Sequence, residues 1–173
     1  NNSRSGITFT GALHSTDGCS AGIIANHENV AENSETTSLS FYTSHNETLG
    51  ERLRIASDGK VSIGYPMITP PSWLHVKGNT YQTLRLENFD GGGNGPYIEL
   101  YNNSASPANN DYTGILSFKN RNSAAEETTY SQIRSQSTNV ADGSEDGVLT
   151  FHTRGGGSFG ERLRIKSGGT IAI

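Results

Sequence analysis

Cysteine is all but missing from this sequence. Of 173 residues only Cys19 is a cysteine, so no internal disulfide framework is available and stability has to come from packing or from partner chains. Long apolar runs are missing too. None approaches the roughly 20 residues that span a bilayer, and membrane insertion is not expected. There is no basic cluster: with 13 Lys and Arg against 17 Asp and Glu, a net charge of -4 and a pI near 5.7, the chain lacks the electropositive stripe that holds nucleic acid. Apolar residues do not recur at the helical period of 3.6, and Gly, Ser, Thr and Asn crowd the gaps between them. Leu, Ile, Val and Phe together number 34, about a fifth of the chain, which is the compositional edge of disorder. Their patterning and the small net charge argue instead for an ordered chain with a narrow core.

What is present is a repeat. Leu49-Gly50-Glu51-Arg52-Leu53-Arg54-Ile55 leads through Ser57-Asp58-Gly59 into Val61-Ser62-Ile63, and Phe159-Gly160-Glu161-Arg162-Leu163-Arg164-Ile165 leads through Ser167-Gly168-Gly169 into Ile171-Ala172-Ile173. Alternation, a glycine turn and alternation again is how a β-hairpin reads. The offset of 110 residues holds upstream without a gap: Leu39 and Phe41 fall on Leu149 and Phe151, and Ile23 on Ile133. After one deletion Ile7 and Phe9 fall on Leu116 and Phe118.

Period-2 alternation predicts strands at 6–10, 21–25, 38–43, 51–56 and 60–64, and in the second copy at 114–119, 130–135, 147–153, 161–166 and 169–173. Between the copies, Trp73 to Val76, Thr83 to Asn88 and Tyr97 to Asn102 also alternate. Pro66, Pro70 and Pro71 interrupt any ladder, since proline has no amide hydrogen to give. The expected division is residues 1–65 as the C-terminal part of a first repeat of about 110 residues, 66–72 as a proline-rich boundary and 73–173 as a second repeat. Leu53, Ile55, Val61 and Ile63 should share one face, with Arg52, Arg54 and Ser62 on the other. A lone unit can close the apolar face as a β-sandwich; three chains can close it about one axis.

The run Glu51-Arg52-Leu53-Arg54-Ile55 with Gly59-Lys60-Val61-Ser62-Ile63-Gly64, followed by Pro70-Pro71 and Leu74-His75-Val76, resembles the repeat of bacteriophage tail-fibre and virion-appendage proteins. Leu84 to Asn88 and Tyr97 to Leu100 fit that pattern too. The resemblance implies an elongated all-β fibre of short antiparallel strands, an intertwined homotrimer at an extracellular or virion surface. Such fibres often end in an autocleaving chaperone domain, which nothing in this sequence matches.

Asp142, Ser144 and Asp146 have the spacing of a calcium loop, but position 12 is Thr153 where a bidentate acid is needed. The Gly-rich stretch from Asp90 to Gly95 is followed by alternation, not by the helix a phosphate loop requires. His14, His27, His45, His75 and His152 lack a zinc spacing, and His75 and His152 are expected to be exposed. No metal or cofactor is expected. Glu51 and Glu161 are repeat equivalents with the same neighbours, whereas an acid–base pair needs different environments; pairing with Arg on a neighbouring strand or chain is the expected duty, and no enzymatic activity is expected. The expected function is a structural shaft or adhesin segment with a cell-surface polysaccharide as candidate partner, the alternatives being a self-contained β-sandwich carbohydrate-binding module and a glycan-cleaving tailspike segment. Sugars stack on exposed aromatics, and Tyr97 and Tyr101, on one strand face beside the Gly-rich stretch, are the candidates among Tyr42, Tyr81, Tyr112 and Trp73. Three sequons, at Asn1, Asn46 and Asn102, matter only in a secreted eukaryotic chain.

Overall fold

The structure, a computed structural model, describes residues 4–10, 19–31, 33–45, 48–64, 69–78, 81, 83–89, 92–93 and 95–173. Pro66, the Asn1 and Asn46 sequons, His14, Asp90 and the side chain of Cys19 lie outside the described residues. The chain is all-β, with no helix among the described residues. It divides into two compact units, Asn1–Gly95 and Pro96–Ile173.

The first unit carries one six-stranded sheet in the order β1 (Arg4–Thr10), β2 (Cys19–Asn29), β3 (Thr36–His45), β4 (Thr48–Ile55), β5 (Val61–Gly64) and β6 (Leu74–Lys77). The second carries β7 (Tyr112–Arg121), β8 (Glu127–Asn139), β9 (Asp146–Gly155), β10 (Ser158–Ile165) and β11 (Ile171–Ala172), again in sequence order. Neither unit contains, among its described residues, the second sheet that a self-contained sandwich needs.

The repeat is visible in backbone detail. The hairpins turn at Gly59 and Gly169, with φ of 84° and 76°, each closed by the same pair of bonds: Ala56 N–H to the Lys60 carbonyl and Gly59 N–H to Ala56, Lys166 N–H to Thr170 and Gly169 N–H to Lys166. A residue without a glycine's freedom would be strained there. Asn29 and Asn139 each accept, through Oδ1, the amide two residues on, from Ala31 and Ala141, the local turn to which Asn side chains are suited.

Three features differ from the expected pattern. First, Arg52 and Arg54 lie on opposite sides. Phe41 pairs with Leu53 but Tyr42 with Glu51, so Arg52 is the extra residue of a β-bulge, as is Arg162 between Glu161 and Leu163. Arg52 donates to Thr43 Oγ1 at 3.0 Å, on the apolar side of the sheet. Second, the ladder crosses the proline-rich stretch: β5 and β6 pair in parallel, Val61 with Leu74 through Gly64 with Lys77, so the strands are not all antiparallel. Third, 84–89 and 95–104 alternate in sequence but carry no strand, so Tyr97 and Tyr101 stand on an extended segment outside either sheet.

The apolar face is continuous. Ile7, Ile23, Phe41, Leu53, Ile63 and Val76 stand opposite one another across all six strands, with Ala25, Leu39, Ile55, Val61 and Leu74 as the next row. In the second sheet Leu116, Ile133, Phe151 and Leu163 form the matching row. These rows are partly open: Ile7 is 62% and Leu74 60% exposed, and Phe41, Leu39, Ile55 and Ile63 are 37% to 39% exposed, while Ile23, Leu53, Val61 and Val76 are half-buried. Among the described residues the buried apolar side chains are Ala56, Val148 and Pro70.

Candidate functional site

Burial in the first sheet falls on the polar face. Ser40 is 0% exposed, and Ser38, Asn26, Ser62, Glu51 and Arg54 are buried with it. The bulge at Arg52 makes this layer possible, because it turns Glu51 and Arg54, three residues apart, to the same side of one strand. Arg54 then grips Glu51 with two parallel bonds, Nε to Oε1 at 2.8 Å and Nη2 to Oε2 at 2.7 Å, and reaches Glu28 and Ser38 with Nη1, both at 3.0 Å. From the neighbouring strand Tyr42 donates its hydroxyl to Glu51 Oε2 at 2.9 Å. Glu51 is therefore paired with an Arg of its own strand, while the same guanidinium reaches across to Glu28 on β2.

Electrostatics follow from these contacts. Burial works against the charge on Glu51, but the bonds from Arg54 and Tyr42 outweigh it and hold the carboxyl below its ordinary range. The same burial, with the carboxylate beside it, pushes the Tyr42 phenol up. A carboxylate fixed as an anion by two donors is a poor general acid. This layer is built to hold charge.

On the second sheet the equivalent pair is Glu161 and Arg164, with Nε to Oε1 at 2.8 Å and Nη2 to Oε2 at 2.7 Å. Its surroundings differ. His152 replaces Tyr42 and stacks on Phe159 with ring centroids 5.7 Å apart and planes 14° from parallel. Arg134 lies 5.5 Å and Arg154 5.8 Å from the Phe159 centroid, within cation–π range, and Arg134 also sits 5.4 Å from the Tyr112 ring. Burial, then the charge of Arg134, pushes the His152 imidazole below its ordinary range. His152 and His75 are half-buried, not exposed as expected, and His75 Nδ1 is buried with no partner among the described residues.

The sequence candidates are placed as follows. Tyr97 and Tyr101 are 81% and 76% exposed, and the Tyr101 hydroxyl donates to Asn103 Oδ1 at 3.2 Å. Tyr42 is occupied in the polar layer and Tyr112 beneath Arg134. Asp142 and Asp146 are exposed, and no three His, Cys, Asp or Glu side chains converge on a metal position among the described residues. Sequence reasoning missed the Phe159 cluster. Its signal was there, in the positions where the second repeat departs from the first: Ile24 to Arg134, Tyr42 to His152, Ser44 to Arg154 and Leu49 to Phe159.

Among solved structures, the carboxy-terminal domain of the bacteriophage T5 L-shaped tail fibre is similar to this chain with a TM-score of 0.72, over 98% of this chain and 78% of its own, at 9% identity. The fold is that of a tail-fibre domain. The T5 domain together with its intra-molecular chaperone domain gives a TM-score of 0.71 at 9% identity, and this chain spans 54% of that longer protein. The sequence matches no protein-family model and no curated protein. The tail-fibre expectation thus holds for the backbone path, and at this identity no residue role carries over.

Proposed function

We propose that this chain is a structural segment of a virion fibre in which three copies close their apolar faces about a common axis. The observation that carries this reading is the partly exposed row Ile7–Ile23–Phe41–Leu53–Ile63–Val76. A stable monomer rarely exposes a large contiguous apolar patch, and the described residues hold almost no buried apolar core to offset the entropy of ordering. A second copy of the chain is the natural occupant, because the same row recurs on both sheets and is self-complementary in chemistry. The extended segments 84–89 and 95–104, with exposed Leu84, Leu86, Ile98 and Leu100, fit the same role, adding strands to the sheets of neighbouring copies. The assembled fibre stands at the virion or extracellular surface, and outward loops, with Tyr97 and Tyr101, contact host-surface glycans; repetition around the axis strengthens weak single contacts.

Sedimentation equilibrium tests the assembly. A mass three times that of the 18.5 kDa chain, persisting to low concentration, is expected. A monomer of undiminished thermal stability would overturn it.

A further inference from the structure

We propose that the polar face of the second sheet, around Phe159, binds the carboxylate-bearing sugars of an acidic polysaccharide, with Arg134 and Arg154 as the anion ligands. This goes beyond the fibre reading and rests on it only in leaving the polar face outward once the apolar face is closed.

The internal repeat supplies the control. Both sheets keep the hairpin, the bulge and the Glu–Arg pair, so the scaffold requires none of the residues that differ. Where they differ, the second sheet gains cations, Arg134 and Arg154 standing where the first has Ile24 and Ser44. On the first sheet Arg54 answers two acids, Glu28 and Glu51. On the second, Glu161 is answered by Arg164, while Arg134 and Arg154 have no carboxylate partner among the described residues. Both converge on one aromatic ring instead.

Each of these guanidiniums is held in place yet retains unused donors. Arg134 gives Nε to Gln132 Oε1 at 2.6 Å and Nη1 to the Tyr112 hydroxyl at 3.2 Å. Arg154 gives Nε to the Thr129 carbonyl at 2.9 Å and Nη1 to that of Gly157 at 2.6 Å. Of five N–H groups on each, the bonds named occupy two, and Nη2 in both cases stays available. Two fixed forks with spare N–H groups are a preorganised receptor for carboxylate oxygens. The amide of Gln132 and the hydroxyl of Tyr112 add the polar contacts that sugar hydroxyls need, and the edge of Phe159 adds the apolar one. A dense polyanion such as nucleic acid suits the chain less, since its overall charge of -4 opposes the long-range attraction on which such binding depends. An acidic sugar meets the same net charge but adds short-range contacts to Gln132, Tyr112 and Phe159 that a phosphodiester backbone does not use.

The test uses the full chain in its assembled form and calorimetric titration with tetragalacturonate, maltotetraose, inorganic phosphate and an eight-residue oligothymidylate. Tetragalacturonate should bind, with maltotetraose at least about tenfold weaker, because it lacks the carboxylates that make charge-assisted bonds. Arg134→Ile, Arg154→Ser and Phe159→Leu install the first sheet's own residues, so the scaffold tolerates them. Each should weaken tetragalacturonate by about tenfold or more with the melting temperature held. Equal binding of the neutral sugar, or variants that bind like the parent, would overturn the site. Phosphate or oligonucleotide bound as tightly and with the same dependence on the arginines would overturn the sugar assignment. A trimer that ignores tetragalacturonate removes this inference and leaves the fibre reading standing, whereas a stable monomer that binds it does the reverse.

Discussion

Arg54 and Arg164 occupy the same place in the two repeats, make the same two-pronged grip on a glutamate three residues back, and differ chiefly in burial. The Arg54 and Glu51 side chains retain 11% and 6% of their exposure, those of Arg164 and Glu161 30% and 34%. Replacing Arg54 with Met removes four bonds at 3.0 Å or less and strands a buried carboxylate, a loss of about 3–5 kcal/mol. Replacing Arg164 with Met releases a carboxylate that water can reach, at about 0.2–1 kcal/mol. For a chain of this length the two correspond to falls in Tm of roughly 6 to 20 °C and at most about 4 °C. Thermal unfolding at fixed protomer concentration is the assay, since assembly makes Tm concentration-dependent. The double variant Arg54→Met with Glu51→Gln removes the stranded charge and should recover part of the loss, giving a positive coupling. The pH dependence has a definite sign. Because the folded Glu51 carboxyl titrates below its ordinary 4.5, its contribution to the parent's stability is fully present above that value. It fades as pH falls through the lower folded value. Losses equal within about 0.5 kcal/mol for the two arginines would refute the burial reasoning.

Two further outcomes follow from local geometry. Gly64 has φ of 98° and a side chain there would run into the Lys77 carbonyl, so Gly64→Ala should cost about 2 kcal/mol or more; Gly160→Ala, with open space around it, should change stability by no more than about 0.5 kcal/mol in the same melts. His152 titrates below its ordinary 6.5, through burial and then Arg134, with Arg164 acting the same way and Glu161 opposing. Its contribution to stability is therefore present above about pH 6.5 and lost as pH falls through the folded value, and Arg134→Ile should raise the His152 titration midpoint measured by NMR; an unchanged midpoint would refute the coupling.

The hairpins, their turns and the repeat were legible in the sequence because period-2 alternation and a glycine at the turn are local signals. Equivalent bulges and turns in the two sheets follow the same offset. The bulge was hidden, since Glu51-Arg52-Leu53-Arg54-Ile55 alternates as though nothing were inserted, and only the cross-strand register shows that Arg52 is the extra residue. The parallel β5–β6 pair was hidden for another reason: proline forbids a ladder bond at its own nitrogen, not a ladder that resumes at Leu74. Tyr97 to Leu100 alternates without a partner strand among the described residues, since alternation reports a two-sided environment and does not say who supplies the other side. The Phe159 cluster joins Arg134, Arg154 and Phe159 from three strands, and only the topology brings them together.

The two faces of the repeat have diverged to different degrees, and this separates their duties. On the apolar face Ile23, Phe41, Leu53 and Ile55 meet Ile133, Phe151, Leu163 and Ile165 without a change of residue, as expected where both sheets face the same kind of surface and a volume change would be felt. On the polar face the Glu–Arg grip is retained but its neighbours exchange an inward acid network for outward cations on an aromatic ring. The change falls on side chains that stand on equivalent backbone, since both sheets keep the hairpin, the bulge and the Glu–Arg grip. The first sheet uses its polar layer to fix its own strands, with Arg54 tying β4 to β2 through Glu28, and the second, whose Glu–Arg pair is half open to solvent, carries the cations on which the proposed acidic-sugar site rests.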